Sequence, residues 1–269
     1  MILSLHDIFF QFTVLFGVGI FLLLIPLPVK FIGEKFFESQ TWFAVGCLSL
    51  GLLGRFYQFI SQHRELPFYL FLYVLVVGLS FLYVRFLRET QFQSAKVVLF
   101  LQAVLIIVGL YFHAGDLSRN RFYFENIGIF TQFLMSSFLL GSVFTSMMLC
   151  HWFFMNHKLP IKYLKRMSQI FTFSLIAKIF FTGVVLWVWK IYFSDDFSRL
   201  VAFEGGFIYL MMRFILGLLF PLILAFGTEV TIKLPTNHAA IGILYVAVIF
   251  IFMGEVLGQY LSLIQRIPL

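Results

Sequence analysis

Residues 239–262 read AAIGILYVAVIFIFMGEVLGQYLS, an apolar run of 24 residues with a single charged side chain, Glu255. About 20 residues of α-helix, at about 1.5 Å per residue, cross the roughly 30 Å hydrocarbon core of a bilayer. The run is therefore long enough and apolar enough to be a transmembrane helix. Because a carboxylate in hydrocarbon is costly, Glu255 also indicates either a functional role or a contact that joins two helices.

Similar apolar runs recur along the whole chain. Of its 269 residues, 61% are hydrophobic and 12% are charged, whereas soluble domains have about 45–50% and about 25%. The connecting segments are too short for a soluble domain, so we predict a single all-α, polytopic membrane domain over residues 1–269, with about eight transmembrane helices. The predicted spans are 8–28, 41–60, 67–87, 95–113, 130–154, 167–190, 207–228 and 239–262.

Lysine and arginine are unevenly distributed over the predicted loops. When residues at the ends of spans are counted with the adjoining loop, ten of the nineteen lie on the side of the odd-numbered loops and six on the side of the even-numbered loops and the C-terminal tail. The remaining three lie deeper within spans. Because cytoplasmic loops keep an excess of positive residues, we predict that both termini lie outside. We expect an integral protein of a bacterial cytoplasmic membrane, in contact with the lipid bilayer. The net charge of +7 is scattered among apolar residues, so no nucleic acid partner is expected.

No ligand set for a metal or a haem is evident in the sequence. Cys47 and Cys150 lie in separate apolar spans and lack the spacing of a metal site. His113 and His151 belong to opposite ends of their spans, more than about 20 Å apart, which disfavours a bis-histidine haem. We therefore predict neither haem nor metal on this chain.

Three charged side chains fall at one predicted depth. Arg55, Arg213 and Glu255 lie about five or six residues from the outer ends of their spans, which places them roughly 8–9 Å deep. Arg213 and Glu255 occupy consecutive antiparallel spans, so we expect them to form an ion pair. Lys178 lies near the middle of its span, and the sequence offers it no acidic partner at matching depth.

Further polar groups lie near the same level. Gln259 is one turn beyond Glu255, and His113 ends the fourth span, where contact with lipid head groups is an alternative role. A carboxylate beside arginines can accept or relay a proton, and such a pocket suits a quinone headgroup. The predicted catalytic residues are Glu255 and Arg213, and the predicted quinone-binding residues are Arg55, His113 and Gln259.

Two spans carry polar or small residues along one face. Gln102, Gly109 and His113 are spaced by seven and four residues, so they share one helix face, which can be directed toward the interior of the bundle. In the fifth span small residues recur every four positions, which lets helices approach closely. These small residues are Ser137, Gly141 and Thr145 on one face, and Ser142, Ser146 and Cys150 on the adjoining one.

The last two spans carry a family resemblance. They read Arg213-Phe-Ile-Leu-Gly-Leu-Leu-Phe-Pro221 and Gly254-Glu-Val-Leu-Gly-Gln-Tyr-Leu261. Over about 55 residues the chain resembles the end of the integral membrane anchor subunits of the dimethyl sulfoxide reductase and polysulfide reductase type. In those subunits an arginine-glycine-proline helix precedes a closing Gly-Glu-x-x-Gly-Arg-like segment. Gln259 stands where that pattern has its arginine.

The resemblance implies a haem-free membrane subunit of a respiratory or related redox complex. Such a subunit exchanges electrons between a quinone and a docked iron–sulfur or cytochrome subunit, and it is not a complete enzyme by itself. Glu255 would occupy the glutamate position of the closing segment. We expect the partner to dock on the outer face, at the loops 114–129 and 191–206, which carry mixed charge and aromatic residues.

Two other classes of function stay open. A small-solute or ion transporter would line its path with Lys178, Arg213 and Glu255, although paired broken helices in two related halves are not evident. In a non-catalytic scaffold of a larger complex, the same charges would only hold helices together.

Overall fold

The computed structural model describes residues 5–62, 66–117, 123–155, 160–192, 206–233 and 238–265, and the regular structure of these residues is helical. Eight long helical segments and one short helix follow one another within this part of the chain. Their bounds are α1 Leu5–Leu24, α2 Val29–Ile32, α3 Glu34–Gln62, α4 Phe68–Arg88, α5 Phe92–Leu117, α6 Tyr123–Met155, α7 Ile161–Tyr192, α8 Gly206–Phe214, a π-helical segment Ile215–Leu219, α9 Phe220–Thr231 and α10 His238–Gln265. The π-helical segment joins α8 and α9 without a break.

Every predicted span falls on one of these helices, but several helix ends differ from the prediction. The first helix ends at Leu24, before the predicted residue 28, because the ring of Pro26 cannot donate a backbone hydrogen bond and interrupts the helix. Gly33, with a φ of +99°, then separates α2 from α3. Glycine adopts this left-handed conformation without the strain that a Cβ would bring.

The predicted docking loops are shorter than the sequence suggested. Helix α5 continues to Leu117 and α6 begins at Tyr123, so much of the predicted loop 114–129 is helical. Residues 118–122 and 193–205, which make up the rest of the two predicted loops, lie outside the described residues.

Seven described helices are long and apolar enough to cross a membrane. They are His6–Leu24, Phe68–Arg88, Phe92–Leu117, Asn126–Met155, Ile161–Val188, Phe207–Thr231 and Ala239–Leu263. Helix α3 covers the predicted span 41–60 and is not among these seven.

The helices form two compact units. The amino-terminal unit is Phe9–Gly141, and the carboxy-terminal unit combines Ser142–Leu269 with Met1–Ile8, as far as these residues are described. Helix α6 contributes its first half to one unit and its second half to the other. The single domain over residues 1–269 stays a prediction.

In the amino-terminal unit, small residues bring α1 and α6 into backbone contact. A Cβ placed on Gly141 would lie only 2.3 Å from the carbonyl carbon of Gly19, and one on Gly19 would lie 2.0 Å from the oxygen of Ser137. The predicted small residues of α6 are all buried. The close helix approach predicted from their spacing is therefore confirmed.

The carboxy-terminal unit joins its helices through hydroxyl groups. Ser142 and Ser174 share a hydrogen bond of 2.8 Å, which links α6 to α7. Thr172 donates a 2.7 Å hydrogen bond to Glu229, which links α7 to α9. These contacts hold α7 in the position from which Lys178 reaches the site described next.

Candidate functional site

Three charged side chains meet inside the carboxy-terminal unit. Arg213 on α8 donates from Nη2 to Glu255 Oε1 on α10 at 2.6 Å. Lys178 Nζ on α7 lies 3.8 Å from the same oxygen. All three side chains are 0% exposed. When all three are ionised, this charge cluster contains two cations and one anion, so it has an excess of one positive charge.

The structure confirms one sequence prediction about this cluster and corrects another. The predicted ion pair between Arg213 and Glu255 is present. The expectation that Lys178 has no acid at its depth is wrong, because its partner is Glu255. Lys178 lies fourteen residues before the end of α7, and Glu255 lies ten before the end of α10. The difference of about 6 Å along the helices is within the reach of a lysine side chain.

Three glycines make room for the guanidinium of Arg213. A Cβ on Gly258 would lie 2.8 Å from Arg213 Nε, and one on Gly254 or Gly217 would lie 3.1 Å from Nη1. Gly217 and Gly254 also approach each other so closely that a Cβ on Gly217 would come within 2.6 Å of the other's Cα. The four-residue spacing of Gly254 and Gly258 is typical of close helix contacts, so it was a sequence signal for this cradle.

A π-helical segment begins two residues after Arg213 and contains Gly217. Such segments occur mostly as single turns inside α-helices, frequently at functional sites. Here the segment separates α8, which carries Arg213, from α9, which carries Glu229. The irregular backbone thus lies where a charged side chain enters the core.

Several buried polar atoms of this site have no hydrogen-bond partner among the described residues. They include Nε and Nη1 of Arg213 and both side-chain amide atoms of Gln259, which is 3% exposed. Buried polar groups are normally paired, and each group without a partner costs about 1–3 kcal/mol. The hydrogen-bonding capacity of these atoms is thus unused among the described residues.

The other two predicted quinone-binding residues lie in the amino-terminal unit. His113 is 1% exposed, and its ring stacks on Tyr69 at 4.7 Å and lies 5.0 Å from Phe133. Burial among aromatic rings excludes the alternative in which this imidazole contacts lipid head groups. The Arg55 guanidinium lies 5.3 Å from the centre of the Phe10 ring, which itself is 5.2 Å from His113.

The five predicted site residues thus belong to two different units. Arg213, Glu255 and Gln259 belong to the carboxy-terminal unit, whereas Arg55 and His113 belong to the amino-terminal unit. A single pocket that contains all five residues stays a prediction.

The seven apolar helices and the buried charge cluster define the class of this chain, a polytopic α-helical integral membrane protein. No protein-family model, no curated protein and no solved structure matches the chain significantly. The resemblance to the membrane anchor subunits therefore rests on residues 213–221 and 254–261 and stays a prediction.

Proposed function

We propose that this protein is the quinone-reactive integral membrane subunit of a redox complex. The buried contact of Glu255 with Arg213 and Lys178 is the observation that supports this proposal. Reduction of a quinone to a quinol consumes two electrons and two protons. A quinone site therefore needs hydrogen-bond donors for the quinone oxygens and a group that exchanges protons. In this cluster the two cations provide donors, and the carboxylate exchanges protons.

Each residue of the cluster has a distinct role in this proposal. The unpartnered nitrogens of Arg213 and the amide of Gln259 hydrogen-bond the quinone oxygens. Glu255 exchanges protons with the quinone, and Lys178 stabilises the carboxylate when it is ionised. The electrons pass to or from a docked iron–sulfur or cytochrome subunit, since the chain itself is predicted to carry no electron-transfer group.

The proposal includes an arrangement in the membrane. Helix α3 forms an eighth crossing, both termini lie outside, and the membrane is a bacterial cytoplasmic membrane. The uneven distribution of lysine and arginine over the loops supports this orientation. The redox partner docks on the outer face, at the predicted loops 114–129 and 191–206.

Gln259→Leu tests the binding part of the proposal. Because the Gln259 amide has no partner among the described residues, the change removes no known internal hydrogen bond and we expect the melting temperature to be kept. Loss of a hydrogen bond to a quinone oxygen should weaken binding about tenfold. Binding of ubiquinone-1 and of menadione to the purified protein is measured by quenching of tryptophan fluorescence.

Glu229→Gln is the matched control for charge and amide changes in this unit. Glu229 accepts a hydrogen bond from Thr172 outside the cluster, so its replacement should leave quinone affinity unchanged. Absence of quinone binding by the unmodified protein, or equal affinities for the unmodified protein and Gln259→Leu, would contradict the proposal.

Glu255→Gln tests the proton-exchange part. Glutamine keeps the shape of the side chain but cannot take up a proton, so quinol turnover of the complex purified with its partners should fall about 10²-fold or more. The double variant Glu255→Gln/Lys178→Met controls for folding, because it keeps the cluster's excess of one positive charge. Both variants should lose turnover. Retained turnover in both would show that Glu255 exchanges no protons with quinone.

Ion transport is the second candidate function, and Lys178 favours it. The three residues that the sequence predicted to line a transport path, Lys178, Arg213 and Glu255, are those that meet in the structure. Uptake of labelled monovalent ions into liposomes, lost in Glu255→Gln and accompanied by no quinone binding, would support this candidate. If neither quinone binding nor ion uptake depends on these residues, the cluster only joins helices, as in a scaffold.

A further inference from the structure

Helices α4 and α5 of the amino-terminal unit pack antiparallel, and two contacts fix their register. Tyr69 stacks on His113 at 4.7 Å near one end of the pair. Farther along, Gln102 Nε2 donates to Ser80 Oγ at 2.9 Å. Tyr69 and Ser80 are eleven residues apart on α4, and Gln102 and His113 are eleven residues apart on α5. The residue numbers rise along one helix where they fall along the other, as in an antiparallel pair. The two helices therefore share one continuous interface between these points.

Hydroxyl groups line the α4 side of this interface. Tyr69, Tyr73, Ser80 and Tyr83 follow one another at spacings of four, seven and three residues, so they share one face of the helix. All four side chains are no more than 1% exposed. The hydrogen bond of Ser80 to Gln102 is of the kind that commonly joins membrane helices, whereas the hydroxyls of Tyr73 and Tyr83 have no such partner among the described residues.

Four buried polar atoms of this interface have no hydrogen-bond partner among the described residues. They are the hydroxyl oxygens of Tyr73 and Tyr83, Oε1 of Gln102 and Nδ1 of His113. Each unpaired atom costs about 1–3 kcal/mol when it is buried, so four along one interface are unfavourable in a dry contact. Buried water normally pairs such groups, which points to a hydrated interior.

The row of polar groups reaches an exposed acid at one end. Tyr69 donates from its hydroxyl to Asp116 Oδ2 at 3.4 Å. Asp116 lies one turn beyond His113 on α5, and its side chain is exposed. Protons from the water or head-group layer can therefore enter at Asp116.

The opposite end of the row reaches an exposed ion pair. Arg88, the last residue of α4, donates to Glu38 of α3, and this contact lowers the pKa of the Glu38 carboxyl, because the guanidinium stabilises its charged form. The ring contact of Trp42 with Phe81, at 5.2 Å, fixes the same register of α3 against α4. Gln40 lies between these two contacts, near the level of Tyr83.

Gln40 continues the polar row toward this ion pair. Its side chain is 0% exposed, and both amide atoms lack a hydrogen-bond partner among the described residues. From Tyr69 to Arg88 the α4 helix rises about 29 Å, which matches the roughly 30 Å hydrocarbon core. Buried polar groups thus occur at successive levels between two exposed charged ends.

We propose that the α4–α5 interface conducts protons across the membrane through these side chains and intervening water. At each step a hydroxyl group, a water molecule or the imidazole of His113 accepts a proton on one side and releases its own proton on the other. No group is changed after the passage, and the pH gradient or the membrane potential drives the transfer. None of these residues belongs to the Arg213–Glu255 cluster, and only His113 is also a predicted quinone-binding residue.

The test measures proton influx into liposomes that contain the purified full-length chain and a trapped pH-sensitive dye. A potassium diffusion potential, imposed with valinomycin, drives the flux. Liposomes with the unmodified protein should acidify faster than protein-free liposomes. Tyr73→Phe and Gln102→Leu should each lower the protein-dependent rate about tenfold or more. The first removes a relay hydroxyl, and the second removes the amide that holds the Ser80 hydroxyl in place.

Tyr111→Phe is the matched control, because it removes the same hydroxyl from a lipid-exposed position on α5. Its proton flux should equal that of the unmodified protein, as should the flux of Glu229→Gln in the other unit. Melting temperatures of all variants verify folding, and Tyr73→Phe keeps the packed ring. The proposal is overturned if the unmodified protein conducts no faster than empty liposomes, if folded Tyr73→Phe conducts normally, or if Glu229→Gln abolishes the flux.

Discussion

Gly258 lies three residues beyond Glu255 on α10, where it faces the side chain of Arg213 rather than a hydrocarbon neighbour. The absence of a Cβ at this position lets the guanidinium lie against the α10 backbone. From there its Nη2 donates a 2.6 Å hydrogen bond to the buried carboxylate of Glu255. The lack of a side chain at Gly258 thus allows the ion pair between Arg213 and Glu255 to form.

Gly258→Ala should destabilise the protein through this contact. The new Cβ would meet Arg213 Nε at 2.8 Å and Cζ at 3.1 Å, so the guanidinium has to move away from its partner. Overpacking of this kind costs about 1–3 kcal/mol. Thermal unfolding in detergent should show the loss as a lowered melting temperature.

Gly242→Ala is the control on the same helix. A Cβ at Gly242 meets no atom within 4 Å, so only the gain in helix propensity remains, about 0.5–1 kcal/mol in favour of the variant. Equal melting temperatures for the two variants would mean that the space at Gly258 is not needed.

At the scale of the helices, the approach of α1 to α6 is set by two glycines that face each other. Without a hydrophobic force between helices in lipid, close packing of small residues is a main source of their association. The contact of Gly19 with Gly141 brings the two backbones together, and Ser137 lies one turn away on α6. The pair therefore determines the spacing of these two helices.

Gly19→Ala and Gly141→Ala should each force α1 and α6 apart. The new Cβ would lie 2.0 Å from Ser137 O in the first variant and 2.3 Å from the carbonyl carbon of Gly19 in the second. Because backbone atoms cannot move aside as a side chain can, we expect a loss of about 3 kcal/mol, at the upper end of the overpacking range. Thermal unfolding measures it.

The control for these two variants is Gly46→Ala on α3, where a Cβ meets nothing within 4 Å. Its melting temperature should stay at or above that of the unmodified protein. If Gly141→Ala unfolds at the same temperature as Gly46→Ala, the close approach of α1 and α6 does not stabilise the protein.

At the scale of the whole molecule, α3 decides the topology. Seven described helices are apolar enough to cross the membrane, and α3 carries Arg55 together with several polar side chains. With seven crossings the termini lie on opposite sides, whereas an eighth crossing by α3 places them on the same side. The excess of lysine and arginine in the odd-numbered loops predicts the latter arrangement, with both termini outside.

Labelling of single cysteines tests this topology. In a chain with Cys47 and Cys150 replaced by serine, Ser4→Cys and Leu269→Cys should both react with a membrane-impermeant maleimide added to intact cells. Cysteine introduced at Lys162, in the predicted cytoplasmic loop before the sixth span, should react only after the cells are permeabilised. Reaction of only one terminus in intact cells would show an odd number of crossings and would rule out α3 as a membrane span.

The sequence alone located the helices and one buried contact. Apolar runs identified the eight long helical segments, because the length of a run and the thickness of a bilayer are compared along a single dimension. The ion pair of Arg213 with Glu255 could be predicted for a similar reason, because two consecutive antiparallel helices place residues of equal depth side by side. The small residues of α6 likewise predicted its close contact with a neighbour.

Only the tertiary structure brought Lys178 to Glu255, enclosed Arg213 among three glycines and aligned the hydroxyl row of α4 with Gln102 and His113 of α5. These contacts depend on the rotation of each helix about its axis and on the reach of long side chains between helices. Hydropathy reports neither of these, because every residue on a membrane helix contributes to it equally whichever way the residue points.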